Sequence, residues 1–468
     1  MSLTNKFGLV AGTTALAIAG SAFGGVESDN DALSQIAELK QELAELKQQN
    51  GQDWLTEQRS SEIRGIVQDV LADADTRTSL QSSGAMAGYN NGFFLASPDG
   101  NFSLKVGGQI QIRWVMNSAK EGLDTNGTPI NGDTLYGFEN RRTKLDFSGN
   151  VFSKDWTYRI RNNFTAQAGV SDLEFAYVQK AMDNGMSIRV GQFQAPWLRE
   201  VLVDASMQLA AERSVVAQLF SQGYSQGIQW GMESDSFRIN AGFFDGIGGA
   251  NNFDTAGYNS RNTTWSASPT NYAFAARADF KLSGDWSQFD DFSSFKGEEA
   301  GMMAGVAVIY QRSNGNAAAA NAATAGNKIF GITGDFTWDF GGASLFASGV
   351  WVQNKPSGAG DTTSPWGVTL QGGYFVSEDA ELFARYEYLN YNVKNNVNAQ
   401  NVDKYNGVTF GVNYFFASGV KFTTDFSWNL KSLSGTNNAA ALNGAGFRPD
   451  LGDNDNQWAL RAQLQLLF

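Results

Sequence analysis

The chain ends Trp458-Ala-Leu-Arg-Ala-Gln-Leu-Gln-Leu-Leu-Phe468. Trp458, Leu460, Ala462, Leu464, Leu466 and Phe468 share one parity; Gln457, Arg461, Gln463 and Gln465 share the other. Such alternation marks a strand with one apolar and one polar face. Its length is that of a tilted strand crossing a bilayer, about 9–11 residues. The chain then stops on an aromatic residue. A soluble protein rarely leaves such a stripe exposed at its end, so a membrane strand is the first expectation.

The same alternation recurs upstream. In 102–116, Phe102, Leu104, Val106, Ile110, Ile112 and Trp114 oppose Lys105, Gln109, Gln111 and Arg113. Similar runs cover 142–151, 155–167, 172–180, 185–194, 225–234, 236–245 and 271–283. They continue at 301–312, 328–340, 342–354, 366–377, 380–391, 404–417, 419–431 and 456–468, sixteen in all. Short connections, as at Asp183-Asn184 and Ser377-Glu378, alternate with long ones such as 195–224 and 432–455. An even strand number with short turns on one side and long loops on the other predicts an all-β fold, a sixteen-stranded antiparallel transmembrane β-barrel over 101–468. Two connections depart from the rule: 284–300 is long where a turn is due, and 166–171 is short for a loop. A soluble sandwich is the alternative, and the repeated long polar loops argue against it.

Composition narrows the chemistry. Cys and His are both absent. That removes disulfides, thiolate nucleophiles, imidazole proton shuttles and His- or Cys-ligated metal. No enzyme activity, cofactor or metal centre is expected. Mean hydropathy is negative, against a bundle of membrane helices. Net charge is −13, against a nucleic-acid partner.

Residues 1–22 read as a secretory signal: Lys6, the short apolar run Phe7–Ala19, then Gly20, Ser21 and Ala22 at a cleavage site. In 30–77, Ile36, Leu39, Leu43 and Leu46 follow three-four spacing, and Ile63, Ile66, Val67, Val70 and Leu71 form a second apolar face. This predicts an α-helical coiled-coil stalk before the barrel, with 78–100 as a linker. Solvated amphipathic helices are the alternative.

The parity opposite the apolar face should line the lumen. It carries Arg113, Arg142, Lys144, Arg159, Arg161 and Arg189, a basic wall that would attract anions. Connection 195–224 mixes helix formers with Glu200, Asp204 and Glu212. Folded inward, this third loop would set acids opposite the bases and a transverse field between them. Asp450, Asp453 and Asp455 lie at alternate or near-alternate positions but lack a full calcium pattern, so a solvated tip is expected.

Several stretches carry a family resemblance: Arg141-Arg142-Thr143-Lys144-Leu145-Asp146-Phe147-Ser148-Gly149, Trp156-Thr-Tyr, Ser187-Ile-Arg-Val-Gly-Gln-Phe-Gln-Ala-Pro-Trp197, and Glu212-Arg213. Over roughly 100–468 the chain resembles the phosphate-selective porin O and P family. The segment Val70-Leu-Ala-Asp-Ala-Asp-Thr-Arg77 resembles the stalks of porins from planctomycete-like bacteria. The C-terminal Phe resembles the assembly signal of outer-membrane barrels. The resemblance implies a homotrimer in the bacterial outer membrane, in contact with its lipid, passing small hydrophilic solutes or anions. A periplasmic stalk would stand ready for peptidoglycan. Phosphate-selective members line the pore with a ladder of Arg and Lys. Here Arg238, Arg277, Lys281, Arg385, Lys421 and Arg461 are mixed with Asp279, Glu381, Glu387 and Asp425. A general passive channel is therefore expected ahead of a phosphate- or anion-selective one. A lipid- or protein-directed barrel enzyme and an occluded barrel tethering the envelope are the rivals.

Overall fold

The computed structural model describes residues 37–38, 40–41, 84–123, 128–164, 171–247, 270–313, 326–356, 361–390, 404–431, 439–448, 450 and 456–468. The strands in chain order are β1 (Met86–Tyr89), β2 (Phe93–Ala96), β3 (Ser103–Ala119), β4 (Gly122–Leu123), β5 (Pro129–Ile130), β6 (Asp133–Asn150) and β7 (Trp156–Phe164). Then come β8 (Ser171–Ala181), β9 (Met186–Phe193), β10 (Ser225–Glu233), β11 (Phe237–Phe244), β12 (Thr270–Ser283), β13 (Gly301–Ser313) and β14 (Asn327–Asp339). The last six are β15 (Ala343–Pro356), β16 (Trp366–Phe375), β17 (Ala380–Asn390), β18 (Lys404–Ala417), β19 (Val420–Lys431) and β20 (Trp458–Leu467). Short helices α1 (Arg199–Leu202) and α2 (Val215–Leu219) follow β9, and α3 (Ala439–Gly444) precedes β20.

Strands β3 and β6 to β20 form a closed, sixteen-stranded antiparallel barrel. Closure is made by the C-terminal stretch Trp458–Phe468. β20 pairs with β19 on one side, Leu460 against Phe426, and with β3 on the other, Leu466 against Ile110 and Trp458 against Ser118. Past the last pair, the Phe468 N–H donates to the Gly108 carbonyl at 3.1 Å and the Gly108 N–H donates to the Phe468 carbonyl at 2.8 Å. With the ring closed, each of the sixteen barrel strands has a hydrogen-bonded neighbour on both sides, as a bilayer requires.

Alternation sorts the two faces. Ile160, Val190, Trp230, Phe274 and Phe410 are exposed on the outer face, with Trp156, Trp338, Trp366, Tyr414 and Trp428 nearer the strand ends. The inner parity holds buried polar side chains, such as Gln109, Gln111 and Arg113 on β3 and Thr333, Asp335, Thr337 and Asp339 on β14. β6 is longer than the alternation suggests, beginning at Asp133 rather than near 142. Its first turn of strand, with exposed Tyr136 and Phe138 around Gly137, has no polar-apolar rhythm to read.

Residues 86–106 and 149–154 belong to a separate small unit. There β1 and β2 form a hairpin, Met86 against Ala96 and Tyr89 against Phe93, and β2 pairs with Ser103–Val106. Part of the expected linker 78–100 is thus a hairpin. The expected signal 1–22 lies outside the described residues. So does the expected stalk 30–77, apart from residues 37–38 and 40–41, which are helical.

Candidate pore constriction

The connection after β9 lies inside the barrel, and its local structure explains how. Ser214 caps α2 by accepting from the Ala217 N–H at 2.9 Å. Glu200 accepts from the Ser214 N–H at 2.6 Å and from its hydroxyl at 2.7 Å. Glu387, on the wall strand β17, accepts from the Val215 N–H at 2.6 Å. Carboxylates here answer backbone N–H groups that a helix start leaves unpaired. Farther back, Asp204 accepts from the Ser206 N–H at 3.0 Å.

The wall reciprocates along the whole segment. Lys421 donates to the Gln208 carbonyl at 2.8 Å, Asn413 to the Leu209 carbonyl at 3.0 Å, and Arg385 to the Glu212 carbonyl at 2.9 Å. Asp425 accepts from the Ala211 N–H at 2.9 Å. Between these bonds, Trp197, Val216, Leu219 and Phe220 pack with Ile309, Ile329 and Leu389 of the wall and with Leu442 and Phe447 of the last external connection. A buried loop must have its backbone paired, and these side chains pair part of it.

Each basic residue singled out in the sequence has a definite place. Arg142 donates through Nη2 to Glu212 Oε1 at 2.6 Å, and Arg141 donates to Glu212 Oε2 at 2.6 Å. Two successive residues therefore reach one inner carboxylate, so β6 does not alternate strictly there. Arg113 lies 3.6 Å from Glu212, donates to Glu139 at 2.6 Å, and holds the Gly444 carbonyl at the end of α3 at 2.9 Å. Lys144 pairs with Glu174 at 2.8 Å. Arg159 and Arg161 share Asp146, and Arg161 also pairs with Asp204 at 2.5 Å. Arg189 donates to Gln179 at 2.9 Å, and no carboxylate pairs with it among the described residues.

Asp204 and Glu212 thus touch the bases, with no water gap between them; Glu200 meets none of the six and turns instead to Ser214, with Arg385 at 3.9 Å. Burial opposes ionisation of Glu212, but Arg141, Arg142 and Arg113 outweigh it and hold the carboxyl well below the usual range. Burial likewise opposes the charge on Asp204, and Arg161 and Lys144 outweigh it, holding that carboxyl well below the usual range. Asp450 lies in the last connection and pairs with Arg448 at 2.6 Å; Asp453 and Asp455 lie outside the described residues. Among the described residues no His, Cys, Asp and Glu group is arranged to hold a metal ion.

Sequence reading missed the partners more than the principals. Asp146 sits two residues after Lys144 on the same parity, a signal available in advance. Glu139 and Glu174 become visible only once strand neighbours are known. So does the fully buried pair Arg461–Asp425, at 2.6 Å, which faces across β20 and β19 in direct register.

Among the six bases singled out in the sequence, those that remain partly exposed lie along β7 to β9. Arg159 stacks on Phe175 at 4.6 Å, and Arg161 on the same ring at 5.3 Å. Arg189 stacks on Tyr177 at 4.6 Å and Phe193 at 5.4 Å. The rings run edge to face in one row, Tyr224–Phe175–Tyr177–Phe193–Phe244. Stacking fixes the guanidinium planes and leaves their other face to water.

Residues 121–468 match the family model of the phosphate-selective porin O and P proteins. The chain belongs to that family. It is an outer-membrane channel protein. Among solved structures it is similar to the anion-selective porin of Comamonas acidovorans, with TM-score 0.50 and 11% identity over 78% of this chain and 99% of that one. It is also similar to the outer membrane channel DcaP of Acinetobacter baumannii, with TM-score 0.48 and 14% identity over 78% and 97%. OmpT of Vibrio cholerae gives TM-score 0.47 and 13% identity over 79% and 98%. No curated protein sequence matches the chain.

Proposed function

We propose that this porin is a passive diffusion channel for small hydrophilic solutes and ions, whose water path runs beside Arg159, Arg161 and Arg189. The observation that carries the reading is the contrast in pairing. Arg113 and Arg142 are buried against Glu212 of the third loop, and Lys144 is buried against Glu174 of the wall strand β8. Among the described residues Arg189 has an amide and not a carboxylate for its hydrogen bond, and the Arg159 side chain keeps 30% of its surface exposed. A guanidinium in water remains charged and raises the local anion concentration. Because most other bases are matched by acids, the preference for anions is weak, and phosphate or strict anion selectivity is the second choice.

In this reading the protein works as a homotrimer surrounded by outer-membrane lipid. Residues 1–22 are removed on export, and 30–77 form a periplasmic stalk in reach of peptidoglycan. A structural tether with a closed lumen is the rival, supported by the apolar core that the third loop and α3 build inside the barrel. Planar-bilayer recording of purified protein decides between them. Stepwise conductance with a reversal potential slightly toward anions is expected in a salt gradient, whereas silence at every voltage favours the tether.

A further inference from the structure

The connection 284–300, too long for a turn, lies at the end of the barrel where the other connections are short. That end is the periplasmic one in barrels of this topology. Its sequence reads Trp286-Ser-Gln-Phe-Asp-Asp-Phe-Ser-Ser-Phe295, with Phe at every third position. Residues Trp286–Asp290 make a short 3₁₀ turn closed by a reciprocal cap between Asp285 and Gln288. Phe289, Phe292 and Phe295 are all buried.

Phe292 and Phe295 are buried inside the barrel. Phe292 meets Phe346 of β15 with ring centres 4.7 Å apart. Phe295 meets Phe375 of β16 at 4.9 Å and Phe415 of β18 at 5.0 Å. Polar bonds fix the same seat: the Ser293 hydroxyl donates to Glu381 at 2.9 Å, and the Gly341 N–H donates to the Ser294 hydroxyl at 3.0 Å. A water-filled wall has no use for inward phenylalanines on neighbouring strands, since each would leave apolar surface in water. Here they match the three-residue spacing of the segment that covers them.

The segment also reaches the third loop. The Phe292 N–H donates to the Met207 carbonyl at 3.2 Å, and Phe292 shares an apolar cluster with Val203, Leu209 and Ala210 of that loop and Phe346 and Phe383 of the wall. From these contacts we infer that residues 285–300 are a second constriction element, inserted from the periplasmic end, which joins the third loop and confines solutes to the Arg159–Arg189 side of the lumen. The inference rests on the channel reading for its effect on flux, but not for its geometry.

The test uses the full-length protein in three forms. One replaces 287–299 with Gly-Gly, one is the double variant F292A/F295A, and one is the pair M207C/F292C, which is clean because the chain has no other cysteine. The deletion should raise single-channel conductance about twofold or more, since conductance follows the free cross-section. It should also admit larger sugars in liposome swelling, with F292A/F295A intermediate. Oxidised M207C/F292C should conduct as the parent does. A folded deletion variant with unchanged conductance and unchanged sugar cutoff overturns the inference. A readout independent of flux separates it from the channel reading. F346C should resist a membrane-impermeant maleimide in the otherwise intact chain and label when 287–299 are removed. Equal labelling in both overturns the inference even if conductance is silent; protection with silence leaves it standing and removes the channel reading.

Discussion

Arg142 Nη2 and Glu212 Oε1 lie 2.6 Å apart, joining a wall strand to the inserted loop with both side chains nearly sealed from water. Arg141 and Arg113 converge on the same carboxylate. Removing one member of such a buried set leaves the others uncompensated, which costs about 3–5 kcal/mol. Glu212→Ala should therefore destabilise the folded barrel by that order in urea unfolding from micelles. The double variant E212A/R142M should recover part of the loss, because it removes an orphaned charge. A single-variant loss below about 0.5 kcal/mol, the scale of an exposed pair, would show that the cluster does not anchor the loop.

Selectivity should separate from anchoring. Arg189→Glu and Arg159→Glu place acids on the partly exposed wall and should move the reversal potential toward cations in a salt gradient. Arg142→Glu should instead destabilise the protein, as it sets a second carboxylate against Glu212. If Arg189→Glu leaves the reversal potential where it was, the water path does not run along β7 to β9.

Acid should reach Asp204 and Glu212 late. Asp204 and Glu212 have folded-state values held well below their ordinary 3.8 and 4.5. Depressed carboxyls contribute stability that is complete above those ordinary values and is lost as pH falls through the folded ones. The stability lost on Asp204→Asn and on Glu212→Gln should thus be constant from neutral pH down to about 4.5 and shrink only in more acid solution. A loss in urea unfolding that already shrinks near pH 6 would assign the anchoring to other groups.

The closing seam gives a fourth test. A Cβ on Gly108 would clash with the Phe468 ring, and Phe468 exchanges two backbone bonds with the same residue. Deleting Phe468 removes both bonds, and Gly108→Val displaces the ring. Each should lower the yield of heat-modifiable, detergent-resistant barrel on refolding, with the deletion the more severe. Parent-like yield for both would separate the terminal residue from closure.

The sequence determined the barrel. Period-two alternation is a local property, repeated sixteen times, and a bilayer demands that such strands close on themselves. It also marked the third loop as unusual, and it flagged 284–300 as too long for a turn. What it could not supply was who meets whom. Arg142 and Lys144 look like Arg159 and Arg189 along the chain, all basic on an inward parity, yet the first two are consumed in pairing while the last two keep a face to water. For Lys144 that difference comes from Glu174 two strands away, and for Arg142 from the path of the inserted loop, fixed by contacts such as Lys421 with Gln208 and Glu387 with Val215, more than 170 residues apart in sequence. Pairing energies of this kind depend on distance in space and on the exclusion of water, and neither is written in the local order of residues.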